Sequence, residues 1–175
     1  MPVRTVLQHA DITRALTRIS HEILESNRGS DDLVILGIPT RGVTLAQRIS
    51  AIIQSVDSAV IPAGALDVAM YRDDLAQNPT RATGPTDIPS GGIDGKTVVL
   101  VDDVLYSGRT IRAALDALGD LGRPRAVRLA VLVDRGHREF PIRADFVGKN
   151  LPSSAEERIN VRLEEIDGTD EVTIG

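Results

Sequence analysis

Hydrophobic and polar positions recur along the chain with two periods, and each change of period marks an element. Ile12, Leu16, Ile19 and Ile23 recur at spacings of four, three and four. They form the apolar face of a helix, with Asp11 as its N-cap and an end near residues 27–29. The other side carries Arg14, Thr17, Arg18, His21 and Glu22, the composition of a solvated face. Residues 33–38 are an unbroken apolar run of strand length that ends in Pro39, Thr40, Arg41 and Gly42. A helix from about 43 to 53 follows, with Leu45, Ala46, Ile49, Ile52 and Ile53 turned inward. Residues 59–62 and 66–71 read as two further strands. Val98 to Val101, continued by Val104, is the β-branched run that a strand buried on both faces needs. A helical pattern covers 111–121. Residues 126–133 read as another buried strand, 144–148 as a shorter apolar segment, and the alternation within 160–174 as edge strands.

The richest chemistry sits between the strand at 98–101 and the helix after it, in the stretch VVLVDDVLYSGRT. Asp102 and Asp103 stand side by side at the strand end, where two carboxylates repel one another unless a ligand uses them. The loop that follows opens a helix, so its free N–H groups and the helix dipole favour an anion. Gly108 lets the backbone come close to that anion, and Ser107 and Thr110 add hydroxyl donors. Vicinal ribose hydroxyls, or a phosphate-bound Mg²⁺, would use the acids. A diol clamp a few residues before a phosphate cradle describes a ribose 5-phosphate site. The plain alternative is an acidic turn that caps a helix. The sequence contains neither GxxxxGK[ST] nor GxGxxG, which argues against a P-loop and a dinucleotide fold. The loop at 39–42 repeats the strand–loop–helix arrangement with a hydroxyl, a glycine and an arginine suited to bidentate phosphate contact. Its plain alternative is an ordinary turn between strand and helix. Residues 72–96 are rich in Pro, Gly, Asp and Thr, and a loop of this length is either a lid or disordered. A lid would keep water from an oxocarbenium-like transition state.

Composition narrows the classes. The length of 175 residues suits one domain with a sizeable core. No apolar run reaches membrane-spanning length, and Arg4, Gln8, His9 and Asp11 interrupt any signal-peptide pattern. The absence of cysteine excludes disulfides and thiolate metal sites and fits a cytoplasmic protein. Aromatics are 2% of the chain, too few for base stacking to be a main binding device.

The stretch VVLVDDVLYSGRT resembles the phosphoribosyl pyrophosphate (PRPP) signature of type I phosphoribosyltransferases, and its form DDVLYSGRT looks most like that of the bifunctional PyrR proteins. GIPTRG is similar to the pyrophosphate loop of these enzymes, which often holds a cis peptide. LTRISHEI at 16–23 and VLVDRGHREFPIRADFVGKN at 131–150 resemble the same proteins, so the likeness spans nearly the whole chain. The resemblance implies an α/β fold of the type I phosphoribosyltransferase kind. A central, mostly parallel sheet is flanked by helices, with a long flexible loop at about 72–96 and a small hood, largely from 134–175, in a single domain. It implies transfer from PRPP to uracil, giving UMP and pyrophosphate, with Mg²⁺ held at Asp102 and Asp103 through PRPP and water. Asp102, Asp103 and Arg41 are then catalytic. Val104, Leu105, Tyr106, Ser107, Gly108, Arg109 and Thr110 bind the 5-phosphate. Thr40, Arg41, Gly42 and Arg72 meet the pyrophosphate, and Arg135 and Val147 meet the base.

An RNA-binding role is a separate claim. The net charge of −5 weighs against it, but residues 123–149 alone carry +4 and the tail from Leu151 carries −5. Such a basic segment serves either RNA or the substrate. The resemblance implies that a UMP-charged dimer binds the leader RNA of the pyrimidine operon. It points to Thr17, Arg18, His21 and Glu22 on the first helix and to Arg138, Arg143 and Lys149. A homodimer or homotetramer follows from the same resemblance. Two other readings stay open: a plain salvage phosphoribosyltransferase, and a pure RNA regulator that only senses nucleotides. The intact acid pair and pyrophosphate loop argue against the last.

Overall fold

The computed structural model describes residues 2–73 and 86–175. Five parallel strands form the central sheet: β2 (Leu33–Gly37), β3 (Ala63–Ala65), β4 (Thr97–Leu105), β5 (Ala126–Asp134) and β6 (Phe146–Asn150), in the order β3-β2-β4-β5-β6. Helices α1 (His9–Asn27) and α2 (Arg41–Asp57) cover one face, and α3 (Arg109–Leu121) covers the other. This is the expected α/β architecture. β4 lies at the centre because its apolar run faces both layers: Val99 and Val101 pack with α1 and α2, and Val98 and Leu100 with α3. A second, antiparallel sheet of order β1-β8-β7 forms the hood, from β1 (Arg4–Gln8), β7 (Ile159–Arg162) and β8 (Glu171–Ile174), with a one-turn helix α4 (Glu164–Asp167) between the last two.

Several expectations change. Gln8, not Asp11, caps α1; Asp11 sits in the first turn, and its carboxylate accepts the Gln8 N–H at 2.9 Å. The strands expected at 59–62 and 66–71 are replaced by the three residues of β3 and a 3₁₀ turn at Ala69–Tyr71. Ile61, Leu66 and Val68 are buried there as loop residues. Apolar runs report burial, and burial does not require a strand ladder. The tail supplies one edge strand, β7. β8 is central in the hood because the unforeseen β1 pairs with its other side. Of the proposed lid, 74–85 lie outside the described residues. The stretch just after them is anchored: Asp87 bridges to Ala65, and Ile93 is buried.

Gly42 fixes how α2 meets the sheet. A Cβ there would lie 2.4 Å from the Val101 carbonyl oxygen, a backbone atom that cannot swing aside. Gly42→Ala is therefore expected to cost about 1–3 kcal/mol, the usual size of an overpacking penalty. A drop in denaturant midpoint with unchanged slope checks this.

Candidate active site and nucleic-acid face

Strand β2 ends at Gly37, opposite Val101, whereas β4 runs four residues further beside β5. Asp102 and Asp103 therefore emerge just beyond the edge of β2, at the carboxyl ends of the parallel strands, where open α/β sheets bind ligands. Asp102 is 8% exposed and Asp103 is half-buried. The Asp102 carboxylate accepts the Asp103 N–H at 2.9 Å, and the Asp103 carboxylate accepts the Val104 N–H at 2.8 Å. Burial, and next the charge of Asp103, push Asp102 well above the usual carboxylate range, while the positive charge of Arg72 pulls the other way. A cation at the pair would remove this penalty, so the donor set suits Mg²⁺. Among the described residues no group of three or more acids and histidines forms a cage of its own. Any metal here needs ligand oxygens or water to complete its shell.

Because the folded-state pKa of Asp102 is raised, its contribution favours the folded state at acid pH and is lost as pH rises through the folded pKa. Asp102→Asn keeps the acceptor for the Asp103 N–H and removes the charge. Its melting temperature is expected to exceed that of the wild type at neutral pH, the gap closing below about pH 4, the ordinary aspartate pKa. Thermal melts across pH check this.

The loop Tyr106–Gly108 joins β4 directly to α3, which begins at Arg109, two residues earlier than the periodicity predicts. Gly108 has φ of +93°, a value that favours glycine. The first turn of α3 contains no acid, and helix geometry leaves its N–H groups without carbonyl partners. The Ser107 hydroxyl accepts the Arg109 N–H at 3.3 Å. The loop is braced from behind: the Ser107 carbonyl accepts the N–H groups of Glu139 (2.8 Å) and Phe140 (3.1 Å), and the Tyr106 carbonyl accepts Arg138 at 2.7 Å. The Arg109 guanidinium bridges Glu139 and Asp73, so this side chain is already engaged by two carboxylates.

Across the sheet end, the Pro39–Thr40 peptide is cis and Thr40 is the N-cap of α2. The Arg41 guanidinium holds Asp167 of α4 through two hydrogen bonds, at 2.7 and 3.2 Å, and keeps that carboxyl below its usual range. Arg41, Asp103, Asn160, Arg162 and Asp167 line one cavity of about 310 Å³. Arg48, further along α2, binds Glu165 and the nearly fully buried Asp170, which also pairs with His9. These contacts pin the hood over the carboxyl ends of the strands. Asp167 escaped the sequence reading; the acid-rich turn EEIDGTD was its only signal.

Arg135 is 8% exposed and stacks over the Tyr106 ring at 4.2 Å, while His137 meets that ring edge-on at 5.8 Å. Arg135 donates to the Ser154 and Glu157 carbonyls. Val147 of β6 lies in register with Val131, which is in register with Asp102, so it stands two strands, about 10 Å, from the acid pair. On the outside, Arg18 of α1 donates to the carbonyls of Val147 (2.9 Å) and Gly148 (2.6 Å). Thr17, Arg18, His21 and Glu22 thus lie on an outer helix face that continues onto β6, where Lys149 is exposed, with exposed Arg143 in the segment leading into it. Arg138 differs: its guanidinium is shared among Asp134, the Ile142 carbonyl and the Tyr106 carbonyl.

An acid pair carried by a strand into an anion loop, beneath a hood on an open parallel sheet, is the arrangement of a phosphoribosyltransferase, and the phosphoribosyl transferase domain family matches residues 2–165. Among curated relatives, the bifunctional protein PyrR of Leifsonia xyli subsp. xyli is 75% identical over 99% of this chain and 97% of that protein. The namesakes from Streptomyces coelicolor (63%, covering 98% of this chain and 89% of theirs) and Chloroflexus aurantiacus (58%, covering 98% and 94%) are also similar. The chain belongs to the PyrR family of phosphoribosyltransferases. A hypoxanthine-guanine phosphoribosyltransferase from Bacillus anthracis shares the fold at TM-score 0.69 and 16% identity, over 99% of this chain and 98% of that one.

Proposed function

We propose that the protein transfers a phosphoribosyl group from PRPP to uracil, and that it is also a UMP-responsive RNA-binding regulator of pyrimidine operon expression. The observation that carries the catalytic half is the opening of Asp103 and Arg41 onto one cavity, beside the loop that leads into α3. Family membership carries the pairing of the two activities. In the reaction the bond from ribose carbon 1 to the pyrophosphate oxygen breaks, the bond to the uracil nitrogen forms, and the proton of that nitrogen is lost. Ser107, Gly108, Arg109 and Thr110 hold the 5-phosphate, chiefly by main-chain N–H groups, with Val104, Leu105 and Tyr106 shaping the approach. Asp102 and Asp103 hold the ribose hydroxyls and offset the positive charge that develops at carbon 1. Arg41, supported by Thr40, Gly42 and Arg72, takes the charge that collects on the departing pyrophosphate. Mg²⁺, when bound with PRPP and water at the acid pair, supplies further neutralisation of that charge. Arg135 and Val147 border the base.

For the regulatory half, Thr17, Arg18, His21, Glu22, Arg143 and Lys149 form the RNA face, and Arg138 ties it to the phosphate loop through the Tyr106 carbonyl. The working form is a homodimer or homotetramer in the cytoplasm. Among the described residues no helix is long and apolar enough to cross a membrane. A second reading, a salvage enzyme without RNA binding, draws on one observation: Arg18 already has a structural task at the Val147 and Gly148 carbonyls. Steady-state assays with PRPP, Mg²⁺ and a panel of bases test the enzyme. UMP formation from uracil with little product from hypoxanthine or guanine is expected; a purine preference contradicts the proposal.

A further inference from the structure

The carboxyl ends of the parallel strands carry the acid pair. Their amino ends carry a second cleft, of about 170 Å³, where β2, β4 and β5 begin and α1 ends. Ile23, Leu33, Val99 and Phe146 give it an apolar floor. Its rim holds three arginines from two places: Arg28 at the end of α1, and Arg125 and Arg128 at the start of β5. No acid lines it. Arg125 donates to the Thr97 hydroxyl at 3.0 Å, and Arg128 has a long contact of 3.5 Å to the Val127 carbonyl. Among the described residues, none of the three has a carboxylate within ion-pair distance, whereas Arg14, Arg41, Arg48, Arg109 and Arg138 all do.

The contrast is informative because the chain is acidic overall, at −5. Guanidiniums stay charged at any physiological pH and match phosphate oxygens bidentately. Three of them around a recess with low-dielectric walls repel one another and focus a positive potential that an anion relieves. Thr97 and Asp103 are six residues apart on one strand, which puts the cleft about 20 Å from the reaction centre at ~3.3 Å per residue. Its volume falls below the roughly 300–1,000 Å³ of pockets that enclose drug-sized ligands.

We propose that this cleft is a second anion site, which takes a small phosphate-bearing molecule on the Arg28, Arg125 and Arg128 guanidiniums. The recess and the apolar floor favour a small ligand over the backbone of an RNA, which needs an open face. The site stands independently of the transferase and regulatory reading.

Amide chemical-shift titration of the full chain tests it, with inorganic phosphate and glycerol phosphate as probes and sodium chloride of equal ionic strength as control. Saturable shifts are expected at Asn27, Arg28, Thr97 and Arg125–Arg128, separate from any shifts in Ser107–Thr110. In Arg125→Ala/Arg128→Ala the first set should saturate at least about tenfold more weakly, the loss expected for charge-assisted bonds, and the second set should remain. Both side chains are exposed, and a dispersed spectrum verifies the fold; Arg128→Ala alone is the milder variant. Response to both probes assigns a phosphomonoester site, and response to inorganic phosphate alone assigns a free-anion site. No saturable shift, equal shifts with chloride, or shifts that survive the double variant overturn the proposal. So does a double variant that loses leader-RNA affinity in a protein that shows no phosphate response.

Discussion

Asp103→Asn is expected to lower kcat for UMP formation by roughly 10²–10³-fold, the range seen when one electrostatic stabiliser of a transition state is removed. The fold should survive. Asparagine keeps an oxygen to accept the Val104 N–H now held at 2.8 Å, and Asp103 is half-buried, without the heavy burial of Asp102. In the proposed mechanism, what disappears is the negative charge beside ribose carbon 1 and one of the two holders of the ribose hydroxyls. PRPP should still bind, more weakly, because the loop Tyr106–Gly108 and the first turn of α3 are untouched. Steady-state kinetics with a separate PRPP binding measurement resolve the two effects. Wild-type turnover in this variant would remove Asp103 from the reaction.

The second large effect concerns RNA. Arg143→Glu/Lys149→Glu reverses two exposed charges, Lys149 on β6 beside α1 and Arg143 in the segment leading into that strand. Loss of two phosphate contacts should weaken RNA binding by about 10²-fold near physiological salt and lower the salt slope by about 2. Uracil phosphoribosyltransferase activity should be unchanged. Arg18→Glu should abolish RNA binding too, but its interpretation depends on the geometry. Arg18 braces the Val147 and Gly148 carbonyls, and a glutamate would point a carboxylate at them. If transferase activity falls in parallel, Arg18 is a strut behind the base pocket. Gel shifts and kinetics on the same preparations separate the cases.

Much of this was legible in the chain. The run Val98–Val101 had to be a strand covered on both faces, and the adjacent acids and small-residue loop had to lie at its carboxyl end, because strand, loop and helix follow without a break. Family membership and the parallel sheet bear out the resemblance to PyrR. Non-local pairing was hidden. β1 has too little alternation to declare itself, and it exists because β8, 163 or more residues away, offers it a partner. The strands expected at 59–62 and 66–71 keep only Ile61, Leu66, Val68 and Ala69 buried, while Val60 and Met70 are exposed, and they lack the expected hydrogen bonding. The Arg41–Asp167 pair joins residues 126 positions apart; the arginine was recognisable from its loop, but its partner lay in a turn that reads only as acidic. Arg138 shows the opposite error available to composition. It counts toward a basic segment, yet its donors point inward to Asp134 and two carbonyls.

The most direct measurement is a gel shift of the protein with the leader RNA of its own pyrimidine operon, with and without UMP. Binding at nanomolar to micromolar protein that UMP tightens severalfold or more is expected, since a coupling of about 1–3 kcal/mol between nucleotide and RNA sites gives a 5–150-fold change. No binding at low salt, with or without UMP, in a protein that still converts uracil and PRPP to UMP, would contradict the regulatory half and leave a salvage enzyme whose α1 face is merely solvated.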